Sequence, residues 1–89
     1  MSKIAVLVRE RQEEGLRMAV GATLRNDKID VYVLGSKVAK TERNMLNLET
    51  MNAIKMDLFT NCPENKEMTL LSDHDIAKRL LGYDHILTY

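Results

Sequence analysis

Eighty-nine residues, 45% of them apolar, with 13 Lys+Arg set against 13 Asp+Glu, predict one domain, residues 1–89, because a chain of this length has little room for a second core. Zero formal charge, three tyrosines, one phenylalanine and no tryptophan argue against a nucleic-acid groove, which needs a basic face and stacking rings. Folding removes only about 64% of the unfolded surface at this size, so partner subunits are expected to help.

Residues 3–8 form a continuous aliphatic run, as a strand covered on both faces requires. Residues 10–25 place Leu16, Ala19, Val20, Thr23 and Leu24 on one side at helical spacing, with Arg11, Glu14, Arg17 and Arg25 elsewhere, which predicts an amphipathic helix. Asn26, Asp27 and Lys28 end it, and residues 30–34 supply a second β-rich run closed by Gly35 and Ser36, both turn formers. From 41 to 53, Met45, Leu48 and Met51 recur every three positions behind Thr41, a suitable N-cap, so a second helix is predicted. Residues 56–60 form a third strand. Residues 61–65 end it, since Pro63 lacks the ladder donor. Residues 68–71 suggest a fourth strand. Ser72, with Asp75 three residues on and then Ile76, Ala77, Leu80, Leu81 and Gly82, reads as a capped helix closed by glycine, and residues 84–89 make a fifth strand.

Strands alternating with helices predict a parallel sheet with helices on both faces, since right-handed crossovers carry the chain back over the sheet. The fold class is α/β: a small three-layer α/β/α sandwich with a mainly parallel sheet of about five strands in a flavodoxin-like arrangement. Only about seven residues separate strands three and four, fewer than the dozen a helical crossover takes, so strand four is expected to be irregular or antiparallel. The longest apolar run, residues 4–8, is far short of the roughly 20 that span a bilayer, so neither a membrane span nor a signal peptide is expected. One cysteine cannot form an intrachain disulfide, and secreted chains this small usually need several. The cytoplasm is the expected compartment.

Ligands of open α/β sheets bind beyond the carboxyl ends of the strands. The sequence puts Arg9, Glu10 and Arg11 there after strand one, Ser36 and Lys37 after strand two, and Asn61 with Cys62 after strand three. Cys62 is the one soft nucleophile on that edge. Cations at Arg9, Arg11, Lys37 or Lys66 would favour its thiolate, the reactive form. A single cysteine is equally well a small buried hydrophobe, but a polar loop flanked by Asn61 and Pro63 favours exposure. His74 and His85 lack metal-ligand spacing, and no metal is expected. Gly15, Gly21, Gly35 and Gly82 fit neither a dinucleotide fingerprint nor a Walker loop, so no nucleotide cofactor is expected. A phosphoacceptor domain needs clustered carboxylates at the sheet edge, whereas Asp57 starts strand three. No serine stands in a nucleophile elbow. On the first helix Met18 and Ala22, beside Gly21, project opposite the core stripe as a small apolar patch that burial in an oligomer would explain.

The first aliphatic strand, GLRMAVGATL at 15–24, DVYVLGSKVA at 30–39 and the closing LLGYDHILTY at 80–89 together resemble the DsrE-like family, which includes the DsrE/DsrF/DsrH and Tus sulfur-relay subunits. The likeness spans nearly the whole chain and rests on hydrophobic pattern and turn placement. It implies a compact α/β domain, commonly assembled as trimers or hexamers. It also implies that Cys62, matching the family cysteine after the third strand, carries sulfur as a persulfide between donor and acceptor proteins. The chain departs from the family where CPENKEM runs directly into strand four without the usual small residues and helix. Some members lack a working cysteine and serve as structural or partner-binding subunits, so two functions follow from the resemblance: a sulfur carrier or sulfurtransferase subunit using Cys62, and a non-catalytic oligomerisation subunit.

Overall fold

The computed structural model describes residues 2–22 and 28–89. The elements run β1 (Lys3–Val8), α1 (Gln12–Ala22), β2 (Lys28–Val33), α2 (Glu42–Ala53), β3 (Asp57–Thr60), β4 (Thr69–Leu70), α3 (Asp73–Leu80) and β5 (His85–Thr88). The five strands form one sheet in the order β4-β3-β2-β1-β5, and every neighbouring pair is parallel. The layered α/β/α class therefore holds. Within it, the strand order is not the 2-1-3-4-5 of flavodoxin itself: β1 to β4 advance in one direction, and α3 carries the chain back across the sheet to place β5 beside β1.

Alternation along the central strands gives the sheet two buried faces. Val6, Val8, Ile29, Val31, Val33 and Leu58 pack with Leu16 and Ala19 of α1 and with Leu48 and Met51 of α2. Ala5, Leu7, Tyr32, Leu34 and Phe59 face the other way, onto Ile76 of α3. Gly15 lets α1 lie close to β1, because a Cβ there would stand 2.9 Å from Val8 Cγ2 and 3.1 Å from Tyr89 Cβ.

The caps follow the residues that suggested them. Thr41 Oγ1 accepts from the Asn44 N–H at 3.1 Å, and Ser72 Oγ from the Asp75 N–H at 3.1 Å, each answering one of the four orphan donors of a helix start. At its far end α2 closes as a Schellman motif, with Lys55 N–H donating to Asn52 O and Met56 N–H to Met51 O. Lys55 occupies the left-handed position at φ 58°, where glycine is the usual residue. Gly82 does not cap α3 in that way; it lies beyond Leu81 with its N–H on Arg79 O.

Three expectations change. Strand four is parallel, not antiparallel, and only two residues long. Residues 61–68 reach it without a helix because two tight turns, Asn65 N–H to Cys62 O and Met68 N–H to Asn65 O, coil the chain back on itself. Ala22 packs against the core instead of projecting away from it, while Met18 is 44% exposed. In α2, Asn44 joins Leu48 and Met51 in the buried set and Met45 lies toward solvent. The expected positions of Thr23, Leu24, Arg25, Asn26 and Asp27 lie outside the described residues.

Candidate functional site

The carboxyl ends of β1, β2 and β3 bring together the loops that follow Val8, Val33 and Thr60. Gly35, at φ 85°, turns the chain sharply after β2 in a conformation that disfavours any side chain, and its N–H donates to Asn61 Oδ1 at 2.8 Å. Asn61 Nδ2 in turn donates to Asp73 Oδ1 at the start of α3, 2.9 Å away. A second asparagine ties the same two loops on the other side of Cys62. Asn65 Oδ1 accepts from the Val38 N–H at 2.9 Å, and Asn65 Nδ2 donates to Ser36 O at 3.1 Å and to Thr60 Oγ1 at 3.0 Å. Asn65 is buried, so these bonds satisfy groups that water cannot reach.

Cys62 sits between the two asparagines. Its N–H donates to Thr60 Oγ1 at 3.0 Å, its carbonyl accepts from the Asn65 N–H at 3.1 Å, and Thr60 spends its own hydroxyl proton on Val33 O at 2.7 Å. The residue is half-buried, and its sulfur is a free thiol. The backbone of Cys62 is thus fixed at both ends while the residue keeps access to solvent. Gln12, in the first turn of α1, steadies the neighbouring loop by accepting from the Ala39 N–H and donating to Lys37 O and Ser36 Oγ.

Two clefts flank the Cys62 loop. One, about 350 Å³, lies beneath the start of α3 and is lined by Leu7, Arg9, Leu34, Asn61, Asp73 and Ile76 among others. The other, about 310 Å³, has Val38, Leu48 and Met68 with Lys37, Lys66 and Asn65 in its walls. The chain passes from Asn61 in the first to Asn65 in the second, with Cys62 between. The cations are divided: Arg9 lines the α3-side cleft and Lys37 the opposite one. Arg11 is held elsewhere, pairing with Glu14 at 3.3 Å and lying over the Tyr89 ring at 5.3 Å. A third groove of about 400 Å³ runs between α1 and α2, bridged by an exposed Arg43–Glu13 pair at 3.3 Å, and its lining contains no nucleophile. Among the described residues no three His, Cys, Asp or Glu side chains gather as metal ligands, and no helix is long and apolar enough to cross a membrane.

A second polar cluster lies under α3, which the sequence pattern did not single out. Asp30, 2% exposed on β2, accepts at Oδ2 from the Tyr83 hydroxyl. Since Tyr83 spends its proton there, Tyr32 donates to the Tyr83 oxygen at 2.6 Å, and Arg79 Nε donates to the Tyr32 oxygen at 3.0 Å. A directed chain of hydrogen bonds therefore links the Arg79 cation to the Asp30 carboxylate, and such chains strengthen by mutual polarisation. Arg79 also stacks over Phe59, 4.4 Å from the ring centroid. Burial, then the bond to Asp30, then the bond to Tyr32 push the Tyr83 hydroxyl above the ordinary tyrosine range. Lys28 is raised above the usual lysine value, first by its hydrogen bond to Asp57 at 2.8 Å and further by attraction to Asp30 and Asp57, against a partial loss of hydration. The signal that could have disclosed the cluster is a lone aspartate inside an apolar strand with tyrosines at 32 and 83.

No family model matches the chain, and neither does any curated protein. Among solved structures, the fold defined above, three layers around an all-parallel sheet, is shared with the crystal structure of the YchN protein from E. coli. The match covers 100% of both chains with a TM-score of 0.74 at 16% identity. At that identity the likeness establishes the fold.

Proposed function

We propose that this chain is a small DsrE-like protein that carries sulfane sulfur on Cys62. The family likeness in the sequence and the shared fold with YchN, itself DsrE-like, support the family reading. The observation that carries the chemical reading is the state of Cys62: a free, half-buried thiol whose loop is clamped by Asn61 and Asn65 at the carboxyl edge of the sheet. The exchange is balanced without a redox partner. The Cys62 thiolate attacks the outer sulfur of a donor persulfide, the donor's inner sulfur leaves as a thiolate, and Cys62 holds the sulfur as its own persulfide. An acceptor thiolate then takes the terminal sulfur and Cys62 leaves as thiolate. One cysteine suffices, with donor and acceptor proteins supplying the others. Arg9 lines one flanking cleft and Lys37 and Lys66 the other, the cations of this edge that the reading draws on.

The alternative, a partner-binding subunit without chemistry, is favoured by one observation: Arg11, one of the four cations expected near the thiol, pairs instead with Glu14 and lies over Tyr89. Incubation with glutathione persulfide followed by intact mass measurement separates the two. A carrier gains one sulfur that Cys62→Ala does not gain. A native protein that gains none, or a Cys62→Ala variant that gains as much, refutes the carrier and leaves the subunit.

A further inference from the structure

The cleft of about 310 Å³ on the Asn65 side of the Cys62 loop has the size of the smallest ligand pockets. Val38, Leu48 and Met68 contribute buried apolar side chains to its lining, and Met45, exposed on α2, adds an adaptable one. Around these stand three cations, Lys37, Lys40 and Lys66, and two carboxylates, Glu64 and Glu67. Among the described residues none of the five is within ion-pair distance of an opposite charge. The other depressions differ. The α1–α2 groove sets Glu13 and Glu14 against Arg17 and Arg43 and closes one pair, and the α3-side cleft sets Arg9 against Asp73. Those two are balanced, whereas the Asn65-side cleft carries one positive charge in excess in a chain of zero formal charge.

The walls of this cleft are pinned. Asn65 uses both amide donors and its amide oxygen on Ser36 O, Thr60 Oγ1 and the Val38 N–H, and Gln12 holds Lys37 O and the Ala39 N–H. A preformed wall leaves little ordering to oppose binding. The same wall is continuous with Cys62, because the Asn65 N–H closes a turn on Cys62 O, and the ends of such a turn lie within about 7 Å of each other. A ligand resting against Asn65 therefore has Cys62 within about two residues' length.

We propose that this cleft binds a small peptide thiol bearing two carboxylates and one ammonium, glutathione being the type, and that glutathione persulfide is the donor delivered there to Cys62. Ligand and cleft are charge complements: two anions meet three lysines, one cation meets two glutamates, and a net negative charge meets a net positive one. The uncharged middle of the ligand, methylenes and sulfur, matches the apolar lining. That the bound species is a persulfide rests on the carrier reading above; binding of the peptide thiol does not. In the exchange the outer sulfur bonds to Cys62 Sγ, its bond to the inner sulfur breaks, and glutathione leaves as thiolate.

S-methylglutathione keeps all three charges and cannot exchange sulfur, so it reads binding alone. Titrated into the isotope-labelled native protein, it is expected to give saturable amide shifts at Val38, Leu48, Lys66 and Met68. Lys37→Gln combined with Lys66→Gln should weaken that binding at least about threefold, as should added salt, since exposed charge pairs are individually weak and screened. Arg43→Gln, the same loss of charge outside the cleft, should leave it unchanged. With glutathione persulfide itself, the rate of sulfur gain at Cys62 should saturate over the same concentration range. Saturable binding without sulfur gain upholds the cleft as a peptide-thiol site and refutes the carrier. Absence of saturable shifts, shifts confined to Leu34 and Ile76 of the α3-side cleft, or a folded double variant that binds as well as the native chain overturns the site; sulfur gained at Cys62 in that case leaves the carrier standing without it.

Discussion

Replacing Tyr83 by phenylalanine removes a single oxygen at the centre of the cluster beneath α3. Asp30 is 2% exposed, and its Oδ1 has no hydrogen-bond partner among the described residues, only the Lys28 ammonium at 3.4 Å. Among the described residues the Tyr83 hydroxyl is thus the one hydrogen-bond donor to this carboxylate, and Tyr32 loses its acceptor at the same time. Hydrogen bonds to charged groups contribute about 1.5–3 kcal/mol, and a buried acceptor left unmade costs its desolvation as well. Tyr83 is itself half-buried, so water replaces part of what is lost, and we expect destabilisation of about 2 kcal/mol. For a domain of this size that lowers Tm by roughly 8–16 °C. Urea unfolding followed by circular dichroism measures the loss directly. Repeating Tyr83→Phe in an Asp30→Asn background should show a smaller cost, with a coupling energy of about 1 kcal/mol or more. A loss below about 0.5 kcal/mol, no larger than an ordinary surface substitution, would refute the view that this hydroxyl satisfies a buried charge.

The same cluster sets an alkaline limit. Tyr83 in the folded chain holds its proton beyond its ordinary value of 10.0, and Lys28 beyond 10.5. Above about pH 10 the unfolded chain therefore releases protons that the folded chain keeps, and stability is full below that range and falls as pH rises through it. Denaturant midpoints measured from pH 8 to 11 should decline only at the upper end, and less steeply for Tyr83→Phe; a flat profile contradicts the assignment. Lys55→Gly should raise stability by about 0.5–1 kcal/mol, since it relieves a left-handed side chain at the end of α2; a loss in urea unfolding would contradict the capping geometry. Asn65→Ala should cost about 2–4 kcal/mol by orphaning the Val38 N–H, Ser36 O and their neighbours, and should speed amide exchange at Cys62; unchanged exchange there would dissociate Asn65 from the loop it is said to fix.

The parts of the fold that could be read from the sequence are those in which one residue type has one physical reason to be present. The aliphatic run at 3–8, the caps at Thr41 and Ser72, and the turn at Gly35 fall where their patterns put them, while the strand expected at 30–34 runs Lys28–Val33 and so takes in Lys28, expected to end the helix before it. β4 did not show its direction because the chain is turned by the side chain and backbone of Asn65, and an asparagine in a polar loop looks the same whether it clamps two loops or is solvated. Ala22 looked like surface because at the end of an amphipathic stripe an alanine fits either side. The placement of Cys62 after β3 was legible, whereas the asparagines on either side of it signalled only a strand end. Arg11 had the charge expected near the thiol, but Glu14 three residues on was the partner that captured it, a helix-surface pairing that spacing alone allows. Asp30 was hidden by its neighbours, since a polar residue opening a β-rich run resembles a strand boundary until the register shows it opposite Ala5.

The account rests most heavily on Cys62, and isotope tracing tests it most directly. Glutathione persulfide carrying a heavy outer sulfur is given to the native protein, the excess is removed, a small thiol acceptor is added, and the label is followed by peptide mass spectrometry. Transient label on the peptide containing Cys62, passing to the acceptor in near one-to-one amount and absent from Cys62→Ala, is the predicted result. Label that never reaches that peptide, or that reaches the acceptor equally well through Cys62→Ala, contradicts it.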